Sequence, residues 1–267
     1  MDNSILAAVV TLSIMGGAFA GLLGLASKLF YVEVDPKQDE VLEALPGVNC
    51  GGCGYVGCAE CAKAIVKRET EVDACVVGGQ RVADHIASIM GLEASRKSKK
   101  VAVVHCNGGC NAKNSHKYNG IQDCRVLVNS FGGIKECKYG CQGCGNCVKE
   151  CDFEAIRVVN GVALVNPDKC TACGKCVKAC PLKIIDLRDY DNYAEVLCRN
   201  EEFGRAVTSA CSKACMGCTL CTKTAPDSFE MDGKLAFYKA GGDLEKVKLA
   251  VEKCPNKAIR LNAAYKD

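Results

Sequence analysis

The sequence contains no tryptophan, six prolines and only 6% aromatic residues. Over 267 residues this leaves little material for one large apolar core, so several small modules that need staples are expected instead. Histidine is scarce too: His85, His105 and His116 show no spacing that would pair them as ligands, and each reads as structural or solvent-exposed. A net charge of only +3 gives no general case for nucleic-acid binding. The local basic run Arg96, Lys97, Lys99, Lys100 reads as a solvated linker.

Charge is also absent from Asn3 to Ser27, a stretch dominated by Ala, Leu, Val, Ile and Gly. Its 25 residues suffice for one helix across a hydrocarbon core of roughly 30 Å. Ala18-Phe19-Ala20 has the look of a signal-peptide cleavage site, but Met1-Asp2-Asn3-Ser4 lacks the Lys or Arg that a signal peptide's first segment carries. Export would also deliver a thiol-rich chain to an oxidising compartment. The stretch is therefore expected to be a membrane anchor. Lys28 follows it, which places the remainder on the cytoplasmic side of the cell membrane. Gly17 and Gly21 form a small-xxx-small step that suits packing against other membrane helices.

Cysteine is what the chain has in excess, 23 residues in tight groups. An odd total and the spacings argue against a disulfide framework. The first group is Cys50-Gly-Gly-Cys53-Gly-Tyr-Val-Gly-Cys58, with Cys75 17 residues later. Three thiols on a glycine-rich loop can wrap a cuboidal cluster. Helices are expected at Ala59 to Arg68 and at about Gln80 to Gly91; Cys61 is expected to be an unligated neighbour. Gly52-x-Gly54-x-x-Gly57 fits a dinucleotide fingerprint, but no strand precedes it and cysteines interrupt it.

The strongest signal follows. Cys141, Cys144, Cys147 and Cys151 have the C-x2-C-x2-C-x3-C spacing of bacterial two-cluster ferredoxins, and Cys170, Cys173, Cys176 and Cys180 repeat it before Pro181. In that motif the fourth cysteine of each run ligates the other cluster. The expected sites are Cys141, Cys144, Cys147 with Cys180, and Cys151 with Cys170, Cys173, Cys176. Zinc normally takes two separated cysteine pairs rather than such triplets. Cys137-x3-Cys141-x2-Cys144 also spells a radical-enzyme pattern, but the ferredoxin run claims those thiols better. Ile156 to Val165, with Asn160-Gly161 in the middle, reads as a β-hairpin.

A shift of 74 residues reveals a second copy. Cys137, Cys141, Cys144, Cys147 and Cys180 fall on Cys211, Cys215, Cys218, Cys221 and Cys254, and Cys124 falls on Cys198. Cys151, Cys170, Cys173 and Cys176 fall on Ala225, Leu244, Val247 and Ala250. One site has lost all four ligands while the other keeps all four, as crossed ligation requires. Cys215, Cys218, Cys221 and Cys254 are thus expected to hold one further cluster. Leu244, Val247 and Ala250, with Leu249, should turn the lost site into apolar packing. Cys106, Cys110, Cys124 and Cys137 remain as a candidate additional 4Fe-4S site or a set of buried free thiols; Cys198 and Cys211 stay unassigned.

With these residues in hand, the chain resembles the B subunit of the Rnf complex, the ion-translocating ferredoxin:NAD+ oxidoreductase. The resemblance rests on the anchor, the Cys50–Cys58 loop and the ferredoxin run, in that order. Asp152, where proline usually follows the fourth cysteine, and Cys61 depart from the pattern. The resemblance implies an electron-transfer subunit of a translocase, partnered by flavin-bearing and NAD-binding membrane subunits and by soluble reduced ferredoxin, with Na+ or H+ transport coupled to electron flow. A donor subunit for another membrane reductase or redox-sensor-reducing system is the alternative. The chain needs no general acid, base or nucleophile. Lys138, Lys149, Lys175 and Lys178 around the clusters could steer an acidic ferredoxin.

The expected class is α+β: a transmembrane helix (residues 1–30), a small helical 4Fe-4S domain (31–92), and a linker with an extra cluster segment beginning at strand Val101 to Val104 (93–138). Tandem bacterial-ferredoxin-like βαβ modules follow (139–190 and 191–267), the second degenerate, giving four to five 4Fe-4S clusters per chain. The coupling ion, the cluster potentials, the order of electron flow and the cluster that docks ferredoxin are not legible.

Overall fold

A computed structural model describes residues 3–30, 35–96 and 98–262. Met1, Asp2, Lys97 and part of the connector after the anchor lie outside the described residues. Helix α1 (Asn3–Leu29) contains the segment Leu6–Leu29, of mean hydropathy 2.1, long and apolar enough to cross a membrane. Its leucines and Phe19 are exposed, covered by nothing else in the described chain. The hydroxyls of Thr11 and Ser13 donate to carbonyls of the preceding turn (Ala7 and Val9, 3.0 and 2.8 Å), which satisfies them without water.

The next module is helical. Asp35 caps α2 (Pro36–Ala44) by accepting from the Lys37 amide at 3.0 Å, with Pro36 at the first position, where its missing N–H costs nothing. Helix α3 (Cys58–Val66) and α4 (Gly79–Met90), the latter ended by Gly91 at φ 64, pack on α2 around Val41, Cys61, Ile65, Val72 and Ile86.

Strand β1 (Lys100–Val104) leaves this module and, after a 3-10 turn at Gly109–Asn111, helix α5 (Cys124–Phe131) and the short α6 (Asn146–Lys149) follow. Strands β2 (Ile156–Val159) and β3 (Val162–Val165) form the expected hairpin, with Asn160 and Gly161 at φ 51 and 75, the left-handed pair that a tight hairpin turn demands. After α7 (Lys175–Ala179), β4 (Ile185–Asp189) pairs antiparallel with β1, Val104 opposite Ile185. The segment expected to be a linker thus supplies one strand of the ferredoxin-like module.

The copy repeats this plan: β5 (Ala194–Val196), α8 (Arg205–Ala210), α9 (Leu220–Thr224), hairpin β6 (Phe229–Asp232) and β7 (Leu235–Tyr238), α10 (Leu244–Lys253), and β8 (Ile259–Leu261), which pairs with β5 so that Val196 opposes Ile259. Every described strand pair in both modules is antiparallel, so neither contains the parallel pair of a true βαβ crossover. The reason is local: the returning strand comes back alongside the strand that entered the module, and the helices stay beside the cysteine loops. Val247 and Ala250 are fully buried against Phe229 and Tyr238, as expected of a lost site turned into core, but Leu249 projects outward at 42% exposure. It sits two residues after Val247, on the opposite side of the helix.

The two modules are sewn together. Lys113 N–H donates to the Ala210 carbonyl (2.9 Å), the His105 ring nitrogen Nδ1 meets the Val196 carbonyl (2.8 Å), and Arg188 donates to the Tyr238 carbonyl (2.6 Å). Arg199 pairs with Asp186 at 2.5 Å.

Candidate iron–sulfur sites

In the helical module, Asn49 fixes the cysteine loop. Its side-chain oxygen accepts from the Cys58 amide at 2.8 Å and its amide donates to the Gly47 carbonyl at 3.2 Å. Cysteine spacing does not point to this latch, although an Asn, which tolerates the φ of 51 it adopts here, just ahead of a glycine-rich loop is a sequence signal that does. Cys53 and Cys58 stand close enough to Cys75 to contribute to its raised pKa, and Cys50 sits on the same loop, its sulfur accepting from the Gly52 amide at 3.5 Å. Backbone amides of Val77 and Gly78 point at the Cys75 sulfur, although burial is the larger influence and pushes its pKa up. Cys61 belongs to this group more closely than its spacing suggests. It hydrogen-bonds Cys53, and burial first, then the neighbouring thiols, push its pKa to about 12. Its side chain is part of the helical core.

Of the crossed quartets expected in the ferredoxin run, one lines a single cavity in full and the other does so with three of its four thiols. Cys151, Cys170, Cys173 and Cys176 line one cavity of about 320 Å³, and the Ala102 amide of β1 donates to the Cys170 sulfur at 3.4 Å. Cys141, Cys147 and Cys180 line a second cavity of about 410 Å³ together with Cys124, and Cys144, on the same loop, hydrogen-bonds Cys124 at its edge. Burial raises Cys147 to about 12 and Cys141 to about 11, the latter against amides of Ala163 and Gly143 that stabilise its thiolate. In the copy, Cys215, Cys218, Cys221 and Cys254 line a third cavity of about 390 Å³, where the Ala258 amide donates to the Cys254 sulfur at 3.3 Å.

Cys106, Cys110, Cys124 and Cys137 are not brought together. The 3-10 turn turns Cys110 out to solvent, and the start of α5 sets Cys124 against Cys144 beside the Cys141 loop, held there by Asn146, whose side-chain oxygen accepts from the Cys124 amide at 2.8 Å. Cys106 and Cys137 instead share a cavity with Cys198 and Cys211.

The modules also touch. Gly52 packs on the loop of the neighbouring site so closely that a β-carbon there would lie 3.1 Å from the Cys173 Cα. At the same place Lys175 donates to Asp152 at 2.6 Å, so the residue that replaces the usual proline supplies an ion pair between the two cysteine runs. That hydrogen bond is the first cause holding the Lys175 pKa above its ordinary value. Lys138 reaches Glu202 at 3.8 Å, while Lys149 and Lys178 are exposed.

The donor set suits an iron–sulfur cubane. Among the described residues no three His, Cys, Asp or Glu converge on a single-ion site. The thiols instead ring cavities, with amide donors aimed at the sulfurs and burial disfavouring bare thiolates that no cation neutralises.

Family comparisons agree. Residues 45–77 match a family model for an Fe-S cluster, residues 140–185 the 4Fe-4S dicluster domain, and residues 212–261 the 4Fe-4S single cluster domain of ferredoxin I. The protein therefore carries multiple 4Fe-4S clusters. The B subunit of the ion-translocating oxidoreductase complex of Methanosarcina acetivorans is 36% identical over 266 residues, covering 98% of this chain and 100% of that protein. The B subunit of the Na+-translocating ferredoxin:NAD+ oxidoreductase complex of Acetobacterium woodii is 41% identical over 80% of this chain and 65% of its own length. Its proton-translocating counterpart from Clostridium ljungdahlii is 39% identical over 80% of this chain and 76% of its own length. The chain belongs to the family of B subunits of the ion-translocating oxidoreductase (Rnf) complexes.

Proposed function

We propose that this chain takes electrons from soluble reduced ferredoxin and relays them toward flavin- and NAD-binding subunits of a membrane complex, with Na+ or H+ translocation coupled to the flow. The observation that carries this reading is the serial contact of thiol quartets. The Cys50 loop abuts Cys173, and the Cys170 and Cys141 quartets interlock within one module. Each cubane, when bound, supplies a one-electron couple. The chain's own residues set its ligation, its burial and the hydrogen bonds to its sulfurs, which are the levers on potential. The ligands are Cys50, Cys53, Cys58 and Cys75; Cys141, Cys144, Cys147 and Cys180; Cys151, Cys170, Cys173 and Cys176; and Cys215, Cys218, Cys221 and Cys254. Helix α1 crosses the membrane once, and Lys28 at its end holds the cluster modules on the cytoplasmic side. Lys149 and Lys178, free of the ion pairs that occupy Lys138 and Lys175, suit the docking of an acidic ferredoxin.

The test is NAD+ reduction by reduced ferredoxin in membranes assembled with and without this chain. Loss of the activity without it, and recovery when it is restored, are expected. Undiminished ferredoxin-dependent NAD+ reduction in its absence would sink the proposal.

A further inference from the structure

The seam between the two ferredoxin-like modules contains a thiol quartet that cysteine spacing does not reveal. Cys106 lies two residues beyond Val104, which opposes Ile185; Cys198 lies two residues beyond Val196, which opposes Ile259, the repeat partner of Ile185. The Cys106 sulfur accepts the amide of Cys141 at 3.4 Å, and the Cys198 sulfur accepts the amide of Cys215, the repeat partner of Cys141. By position in the fold, the counterpart of Cys198 is Cys106 and not Cys124. Cys137 and Cys211 are partners by the 74-residue shift itself. The quartet is thus the same two positions taken once from each module.

All four thiols line one pocket of about 300 Å³, partly open to solvent, close in size to the similarly open pockets of about 320, 390 and 410 Å³ at the ferredoxin-type thiols. Gly108 forms part of its wall. A β-carbon there would stand 3.3 Å from the Cys211 sulfur and 3.6 Å from the Cys106 sulfur. Each sulfur also receives N–H donors, as cluster ligands do. Tyr139 and the Asn200 side-chain amide (3.5 Å) serve Cys137, Lys213 and Ala214 serve Cys211, and Asn200 and Cys215 serve Cys198.

We propose that Cys106, Cys137, Cys198 and Cys211 hold a further 4Fe-4S cluster, shared between the two modules. The inference rests on the reading that the other quartets hold such clusters. Its ligands are hydrogen-bonded to Cys141 on one side and Cys215 on the other, so it lies between those two sites. With it, the sites form one row of five from the Cys50 loop to the C-terminal module.

The experiment is iron and acid-labile sulfide analysis, with Mössbauer spectroscopy, on the full chain purified anaerobically in detergent. The wild type should hold about 20 irons, C211A and C198A about 4 fewer with the remaining cubane signals intact, and C110A the full number. Cys110 is exposed, so C110A leaves the packing undisturbed and decides the matter even where C211A fails to fold. A wild type with about 16 irons, a C211A protein with undiminished iron, a loss of about 4 irons in C110A, or one zinc in place of those irons would each overturn the proposal. A wild type devoid of cubane iron would instead refute the broader reading.

Discussion

The two ferredoxin-like modules began from one plan and diverged at four positions. In the first, Cys170 and Cys173 sit on an irregular loop, with Ala172 and Gly174 at φ 58 and 76, before the five-residue α7. In the copy, the corresponding stretch has become the ten-residue helix α10, and Val247 and Ala250 fill the vacated space against Phe229 and Tyr238. The rings of that pair meet edge to face at 5.5 Å. The loss of cysteines therefore went with a change of backbone as well as side chains: a segment that need not wrap a cubane reverts to a regular helix with an apolar face. With the ligation proposed above, one module is held by metal–thiolate bonds on two sides, the other by metal on one side and ordinary packing on the other.

Iron removal should separate them most widely. After anaerobic chelation, hydrogen exchange read by mass spectrometry should show β2 and β3 unprotected, while β6, β7 and α10 retain protection from their apolar core. Equal loss in both would break the comparison. Next in size, Phe229→Ala should cost about 3–5 kcal/mol in denaturant unfolding, since the ring is fully buried. It should leave the iron of the first module untouched. Asp152→Pro, which restores the residue usual at that place, should forfeit a solvent-screened ion pair with little change in denaturant unfolding and without iron loss. A drop in iron content would show that the Lys175 bond positions the cysteine loops. The smallest effect is expected from the combined substitution Ala225→Cys, Leu244→Cys, Val247→Cys and Ala250→Cys. It should gain no iron, because three of the thiols would stand along one unbroken helix instead of wrapping a cluster from a loop. A gain of about 4 irons would show that ligands alone, and not backbone, were lost.

Much of this is legible from spacing. Triplets of cysteine two residues apart, closed by a distant fourth, leave few geometries, and the correlated loss of four cysteines from the copy points to crossed quartets without any knowledge of the fold. The hairpin at Asn160-Gly161 and the helices flanking the first loop are equally plain, because turn chemistry and apolar periodicity are local. What spacing does not reveal is the seam. Cys137 lies 31 positions after Cys106 but Cys211 only 13 after Cys198, so an insertion carrying Cys110 and Cys124 hides the equivalence. Strand pairing, a long-range property, restores it. The Asp152–Lys175 pair escapes a reading of the sequence for the same reason: it joins chain segments that only folding brings together.

Gly52 has a consequence for the protein as a conductor. Its bare backbone lets the small helical module seat directly on the loop bearing Cys173. A β-carbon there needs the joint to give by only a few tenths of an ångström, whereas a bulky side chain would act as a wedge between the two modules. Electron tunnelling fades steeply with distance, so widening that joint with a bulky side chain slows the wire without removing a single iron.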